Sequence, residues 1–528
     1  MAIIATRPLL LEKLERREVL TGDVAVSIVG GDLVVTGDAD ANYLFIYQDG
    51  SGDWIVHGGQ QLSSGSAVAG TETTVNGQAT AQTFTGVTGG LLIDMAAGND
   101  EIEISNADVL DASTVDLGPG ENVLIVTAGF ELTTPGFETN DASAAVRGAL
   151  NFTGALAVTG DTGADSVYVD VEVTMADDFS FDAGAGDDFV QLAGVTTATW
   201  TVGGDVLLTF EAGDDVFNSE SLASNITGNF TVTQGDAGSS GAEIYLVDAV
   251  IGGDISIVAA AGRNLVKIDG VSAGVVTINL GAGADEVDVL DLTATSLACD
   301  LGADDDRLVS FENVTATTSI SIIAGSGLDI IAIQTLSAST VTVTGGDDAD
   351  GIVAFDITAT TVSFDSGDGT DVVGIYEVNA TTLNVITGLG GEGGGFIFGL
   401  VVGTCTITGT LTVDSGDGLD NVLLGTVTAG TANVTTGTGS DGLIVLFSDL
   451  DNATFDSGAE IDVVGAYDTV FLNLDVLLGD GLDQLWLGDV TASLTAELNG
   501  QTDGAELREP SANNFTGLVK TNMSDVPA

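Results

Sequence analysis

Apolar and polar positions alternate in short bursts along this chain, and the bursts recur at a near-constant interval. Val373 and Ile375 follow Asp371 at the second and fourth positions; Val422 and Leu424 follow Asp420 in the same way, and Leu485 and Leu487 follow Asp483. Alternation of this kind marks a strand with one face turned inward. A corner of hydroxyl and small residues comes next: LTAT at 292–295, LSAS at 336–339, ITAT at 357–360, VNAT at 378–381, VTAG at 427–430. A second alternating stretch then points Val341 and Val343, Val362 and Phe364, or Leu383 and Val385 inward, and a Gly-Asp turn closes the unit.

With the aspartate before each first strand as an anchor, the series runs Asn264, Asp285, Asp306, Asp329, Asp350, Asp371, a weaker copy at Gly395, then Asp420, Asp441, Asp462 and Asp483. Looser copies stand upstream at Asp100, Asn122, Asp165, Asp188 and Asp215, and Asp503 opens a shortened last one. Most steps are about 21 residues, a period that marks a stacked array. So short a unit cannot bury its own apolar face and must stack on its neighbours. The expected fold is all-β: a β-solenoid (parallel β-helix) of about 19 coils, roughly 90 Å long at the spacing of paired strands. Leucine-rich repeats share the length but not the consensus. A propeller of two units per blade would need about nine blades against the usual 4–8.

The pattern divides the chain into a leader at 1–20, an N-terminal β cap at 21–95, the array at 96–503 and a C-terminal cap or tail at 504–528. The cap region holds a dipeptide suited to a tight turn, Asp49-Gly50, inside the hairpin-like YLFIYQDGSGDWIVHG at 43–58. No run of 18 apolar residues occurs, so no transmembrane helix is expected.

Charge changes the picture. Asp and Glu number 78 against 10 Lys and Arg, a formal charge of −68. That balance disfavours nucleic acid and anionic membranes, which need basic patches, and favours cations. Apolar residues make up 44% of the chain, enough for a buried core despite the charge. Cys299 and Cys405 are too few for a disulfide framework. His57, the single histidine, lies in the cap beside Trp54 with no catalytic partner in view.

The turns carry the candidate chemistry. Gly367–Val373 reads G-x-G-x-D-x-U, U being apolar, as do Gly416–Val422, Gly437–Leu443 and Gly479–Leu485. Equivalent carboxylates stacked about 5 Å apart repel by roughly 1 kcal/mol even in bulk water, so the edge needs counter-charge. Oxygen-only ligands on glycine-permitted turns suit Ca²⁺. The candidate ligands are Asp100, Asp165, Asp187, Asp188, Asp214, Asp215, Asp285, Asp304, Asp306, Asp329, Asp348 and Asp350. In the later coils they are Asp365, Asp368, Asp371, Asp414, Asp417, Asp420, Asp441, Asp456, Asp462, Asp480 and Asp483. These turns resemble the calcium-binding repeat of RTX (haemolysin-type) proteins. The resemblance implies Ca²⁺ held between stacked turns by Asp carboxylates and glycine-region carbonyls. The family's tandem nonapeptides place such turns on both edges of the stack, whereas here the opposite edge has the Thr-Ala corner. The segment Leu14–Leu20, read as LERREVL, resembles the leader of many large surface and secreted proteins of planctomycete-type bacteria, which implies an extracellular or cell-surface location.

The outward positions of the first strand change character along the array. Early they are polar (Glu101, Glu103, Glu286, Asp288); later they become Val372, Gly374 and Tyr376, then Phe396, Phe398 and Leu400, then Ile444 and Leu446, Val463 and Tyr467, and Trp486. So large an apolar stripe marks a contact surface for a second copy or a surface partner. The expected function is a non-enzymatic, Ca²⁺-binding structural or adhesive solenoid. A polysaccharide-active β-helix is the catalytic alternative, but an active site is a local exception to a repeat, and these carboxylates recur evenly. Thr pairs at the corners, such as Thr293/Thr295 and Thr358/Thr360, raise an ice-binding solenoid as a further alternative.

Overall fold

A computed structural model describes residues 22–61, 67–69, 73–127, 150–169, 173–192, 199–219, 223–307, 309–388, 399–500, 505–509 and 513–526. The leader, Phe396, Phe398, Gly395 and Asp503 lie outside the described residues. The described chain is all-β, a parallel β-solenoid whose coils stack about 22 residues apart. It makes about 17 turns, fewer than the expected 19 because several upstream coils are longer.

Each coil has three sides, not two. The first follows the anchor, as in Glu286–Leu290, Asn421–Gly425 and Gly442–Leu446. The hydroxyl-rich corner is itself a short second side, paired from coil to coil: Thr293 with Thr315, Thr315 with Ser337, Ser337 with Thr358. In the upstream coils this side forms a separate sheet of six strands. The third side carries the second alternating stretch. Alternation alone could not separate the second side because only two or three of its residues pair before the chain bends again.

A residue missed by the pattern makes that bend possible. Six positions after the anchor, Asp291, Thr335, Asp356, Glu377, Thr426, Asp468 and Asp489 adopt left-handed backbone, with φ between 49° and 59°. Asp tolerates this region better than most side chains because it hydrogen-bonds locally. At the opposite turn the demand is stricter. Gly437 has φ +80° and sits on Gly416, so close that a Cβ would meet the Gly416 carbonyl oxygen. Only glycine fits there, which is why a glycine column runs up the turn.

The core is the column of inward side chains. Val373, Ile375, Val362, Phe364, Leu383 and Val385 are buried as the alternation requires. Phenylalanines stack within it, Phe179 edge-on to Trp200 at 5.8 Å and Phe455 to Phe471 at 6.0 Å. Cys299 and Cys405 are buried free thiols.

Both ends of the array are continued by strand pairing. The cap hairpin Tyr43–Gln48/Trp54–Gln61 lays its first strand parallel on Glu101–Ser105, and Asp32–Thr36 pairs with Leu91–Asp94. Third-side pairing therefore starts before residue 96. His57 is buried in this hairpin, and burial lowers its pKa. At the other end Leu518–Thr521 pairs with Thr491–Asn499, and Met523–Val526 with Ala505–Arg508, adding one more layer.

Candidate functional site

The candidate metal ligands separate into three groups. The anchors form the first, and their side chains point inward. Asp100, Asp165, Asp188, Asp215, Asp285, Asp306, Asp329, Asp350, Asp371, Asp420, Asp441, Asp462 and Asp483 are all buried, with exposures of 0–4%. Their carboxyls lie inside the coil and do not present at the outer edge. The main-chain N–H of Asp285 donates to Asp306 Oδ1 at 2.8 Å, that of Asp306 to Asp329 Oδ1 at 2.8 Å, and that of Asp329 to Asp350 Oδ1 at 2.9 Å. The same bond links Asp350 to Asp371, Asp420 to Asp441, and Asp441 to Asp462. Each carboxyl thus ties its own coil to the preceding one.

The second carboxyl oxygen tells more. Oδ2 of Asp100, Asp188, Asp285, Asp306, Asp329 and Asp350 is buried with no hydrogen-bond partner. Asparagine replaces aspartate twice in this column, and there the second atom is a donor. Asn122 Nδ2 donates to the Gly118 carbonyl at 2.8 Å; Asn264 Nδ2 donates to the carbonyls of Gly262 at 3.1 Å and Leu280 at 3.2 Å. A protonated aspartate has the same shape and presents an O–H in that place, whereas an ionised one leaves a buried oxygen unmatched. Burial therefore pushes these groups up: Asp306 to about 8, Asp285 and Asp441 to about 7, Asp100 to about 6. Charges on neighbouring anchors add to the effect at Asp306 and Asp441.

Asp365, Asp414 and Asp456 form the second group. Their Oδ1 atoms accept the N–H of Gly367, Gly416 and Gly458, two residues on, at 3.2, 3.2 and 3.3 Å. They brace the glycine turns. They also stand two coils apart, with Ile386 and Thr435 between them, so they do not share an ion.

The third group is exposed on the turn edge: Asp187, Asp214, Asp304, Asp348, Asp368, Asp417 and Asp480. Two stacked pairs occur there. The Asp214 N–H donates to Asp187 Oδ1 at 3.0 Å, one coil apart, and Asp368 pairs in register with Asp347, a residue the sequence reading passed over. Asp417 instead receives the N–H and hydroxyl of Thr438 at 3.1 and 2.7 Å. Among the described residues no three His, Cys, Asp or Glu side chains converge as a metal-holding group. What the edge can offer Ca²⁺ is pairs of carboxylates with turn carbonyls and water completing the shell, a donor set that suits a hard, flexible coordination sphere.

The apolar candidates divide as well. Leu400 is buried: Val373 pairs with Leu400, and Leu400 with Val422, so it is an inward residue. Tyr376, Ile444, Leu446, Tyr467 and Trp486 do face outward, half-buried. Tyr376 stacks on Phe355 with ring centroids 5.0 Å apart, and Arg508 lies 4.9 Å over the Trp486 ring.

No helix among the described residues is long and apolar enough to cross a membrane. No protein-family model, curated protein or solved structure matches this chain.

Proposed function

We propose that this chain is a non-catalytic structural and adhesive rod, working outside the cell or on its surface, whose acidic turn edge takes up Ca²⁺ and whose uncharged side mediates association. The carrying observation is the stacking of exposed carboxylates, Asp187 on Asp214 and Asp347 on Asp368, in a chain of formal charge −68. Neutralising such pairs stabilises the stack, and an oxygen-rich edge recruits a hard cation in preference to a soft one. The resemblance of the turns to the RTX repeat and of the leader to exported proteins supports the same reading. The test is thermal unfolding in millimolar Ca²⁺, in chelator, and in Na⁺ of equal ionic strength. A selective rise with Ca²⁺ is expected by mass action on the folded state; identical curves in Ca²⁺ and chelator defeat the calcium reading.

One observation favours a second reading. The second-side hydroxyls of Thr293, Thr315, Ser337 and Thr358 stand in register and exposed, a regular array of the kind an ice surface could meet. Their neighbours turn to the protein instead, since Thr318 Oγ1 donates to the Thr295 carbonyl at 2.8 Å and Ser339 Oγ to that of Thr317 at 3.2 Å. Ordinary ladder bonding accounts for those. A thermal hysteresis assay separates the two readings.

A further inference from the structure

We infer that the later part of the first side is the contact surface between two copies of this chain, packed face to face with their rod axes antiparallel. This names the partner for the association proposed above and rests on that part of the reading, not on calcium.

From Ile330 to Gly488 seven successive pairings join eight first-side strands in register. None of their outward positions carries a charge. In a chain with 78 acidic residues, so long an uncharged face is a local exception. Two such acidic rods repel one another, and this is a broad apolar surface on which a second copy can land without burying charge. Glycines level it. The Tyr376 ring lies against Gly374 and Gly403, where a Cβ would come within 3.1 and 3.0 Å of it, and Tyr467 lies on Gly465 in the same way. At about 4.8 Å per strand and 3.3 Å per residue the face measures roughly 38 by 16 Å, about 600 Å² per copy. That gives about 1,200 Å² in total, the lower bound for a specific interface. Leu419, Ile461 and Leu482, all more than half exposed, extend it onto the turn edge.

Direction follows from the ends. A two-fold axis along the strands, between the Val401 and Leu423 coils, sets the Ala332 coil against the Trp486 coil. Small residues then meet large ones: Ala332 faces Trp486, Gly351 faces Val463, and Gly442 faces Val372. Beside Ala332 lies a shallow groove of about 180 Å³ whose lining includes Glu312, Gln334 and Phe355. Trp486, capped by an Arg508 that its own Glu506 holds at 2.9 Å, is the knob that this arrangement brings to that groove, and it places Arg508 near the Glu312 end. Arg307 likewise meets the end that carries Glu506. The parallel alternative stacks Trp486 on Trp486 and Arg508 on Arg508, matching neither size nor charge.

The experiment is sedimentation equilibrium on the full chain from low to high micromolar concentration, in Ca²⁺ and in chelator. A dimer is expected in both, so loss of the calcium response leaves this inference standing. Leu423→Asp with Ile444→Asp should weaken the dimer at least a hundredfold with unchanged far-ultraviolet circular dichroism. Should that variant misfold, surface charge reversal carries the test: Glu312→Arg and Arg508→Glu each weaken association about tenfold, and together restore it. A chain monomeric at 100 µM, or a folded Leu423→Asp/Ile444→Asp variant that still dimerises, overturns the interface. Failure of the double reversal to restore binding overturns the antiparallel arrangement.

Discussion

The main-chain N–H of Asp306 donates to the carboxyl Oδ1 of Asp329, one coil on, at 2.8 Å, while the Oδ2 of each of these buried groups has no partner. The ladder they belong to joins coils through side chains that are more comfortable neutral than charged.

Stability should therefore fall as pH rises, the reverse of the usual carboxylate behaviour. Asp285 and Asp441 are raised from 3.8 to about 7, and Asp306 to about 8, chiefly by burial. Between their ordinary value and these raised ones, the folded chain holds protons that the unfolded chain has released. Stability is then fully present below about pH 4 for these groups, declines above it, and has gone once pH passes the folded values. Each unit of raised pKa corresponds to about 1.4 kcal/mol. The melting temperature at pH 5 should exceed that at pH 8 in chelator at constant ionic strength. A flat or rising profile would mean that the column is solvated or ion-paired.

Amide replacement isolates the cause. Asp306→Asn should reproduce the Asn264 arrangement, leaving stability at pH 5 within about 1 kcal/mol and raising it at pH 8. Asp306→Ala removes the acceptor for the Asp285 N–H, and an orphaned buried donor costs roughly 1–3 kcal/mol at both pH values. Equal penalties for both variants at pH 8 would contradict the neutral-acid account.

Ca²⁺ should respond to the edge and not to the column. Asp347→Asn with Asp368→Asn is expected to reduce the Ca²⁺-dependent rise in melting temperature, whereas Asp306→Asn with Asp329→Asn leaves that rise intact. Titration calorimetry on both variants checks it, and the opposite ranking would relocate the ion to the interior.

The glycine column sets a further contrast. Gly437→Ala forces a methyl against the Gly416 carbonyl at φ +80° and should destabilise by at least 2 kcal/mol. Gly425→Ala, on the first side with nothing within 4 Å of the added carbon, should change little. Urea midpoints of the two variants compare them directly.

The period, the inward alternation and the stacked architecture were all legible in the sequence, because a repeat writes each constraint many times. The orientation of the anchors was legible too, though the acidity of the turns obscured it. Asp371 has the same parity as Val373 and Ile375, and strict alternation puts all three on the inner face. Buried charge is costly enough that an aspartate reads as a surface residue, and the Asn264 and Asn122 substitutions were the signal that a neutral group suffices. Leu400 could not be placed, since the glycine-rich run before it lacks an apolar rhythm to count. The pairing of Asp347 with Asp368 depends on the local register of one turn on the next, which single-coil spacing does not disclose.

Asp420, Asp441, Asp462 and Asp483 stand 21 residues apart, and the last three each receive the N–H of the one before. Removing or inserting a whole such unit would leave every rung with a donor and an acceptor, and the neighbouring strands with unchanged partners. Length is then a quantity this molecule can vary without redesign: duplication or loss of a 63-base segment of its coding sequence would extend or shorten the rod by about 4.8 Å. The same chemistry that fixes one coil upon another makes the molecule a ruler whose graduations evolution can add or strike out one at a time.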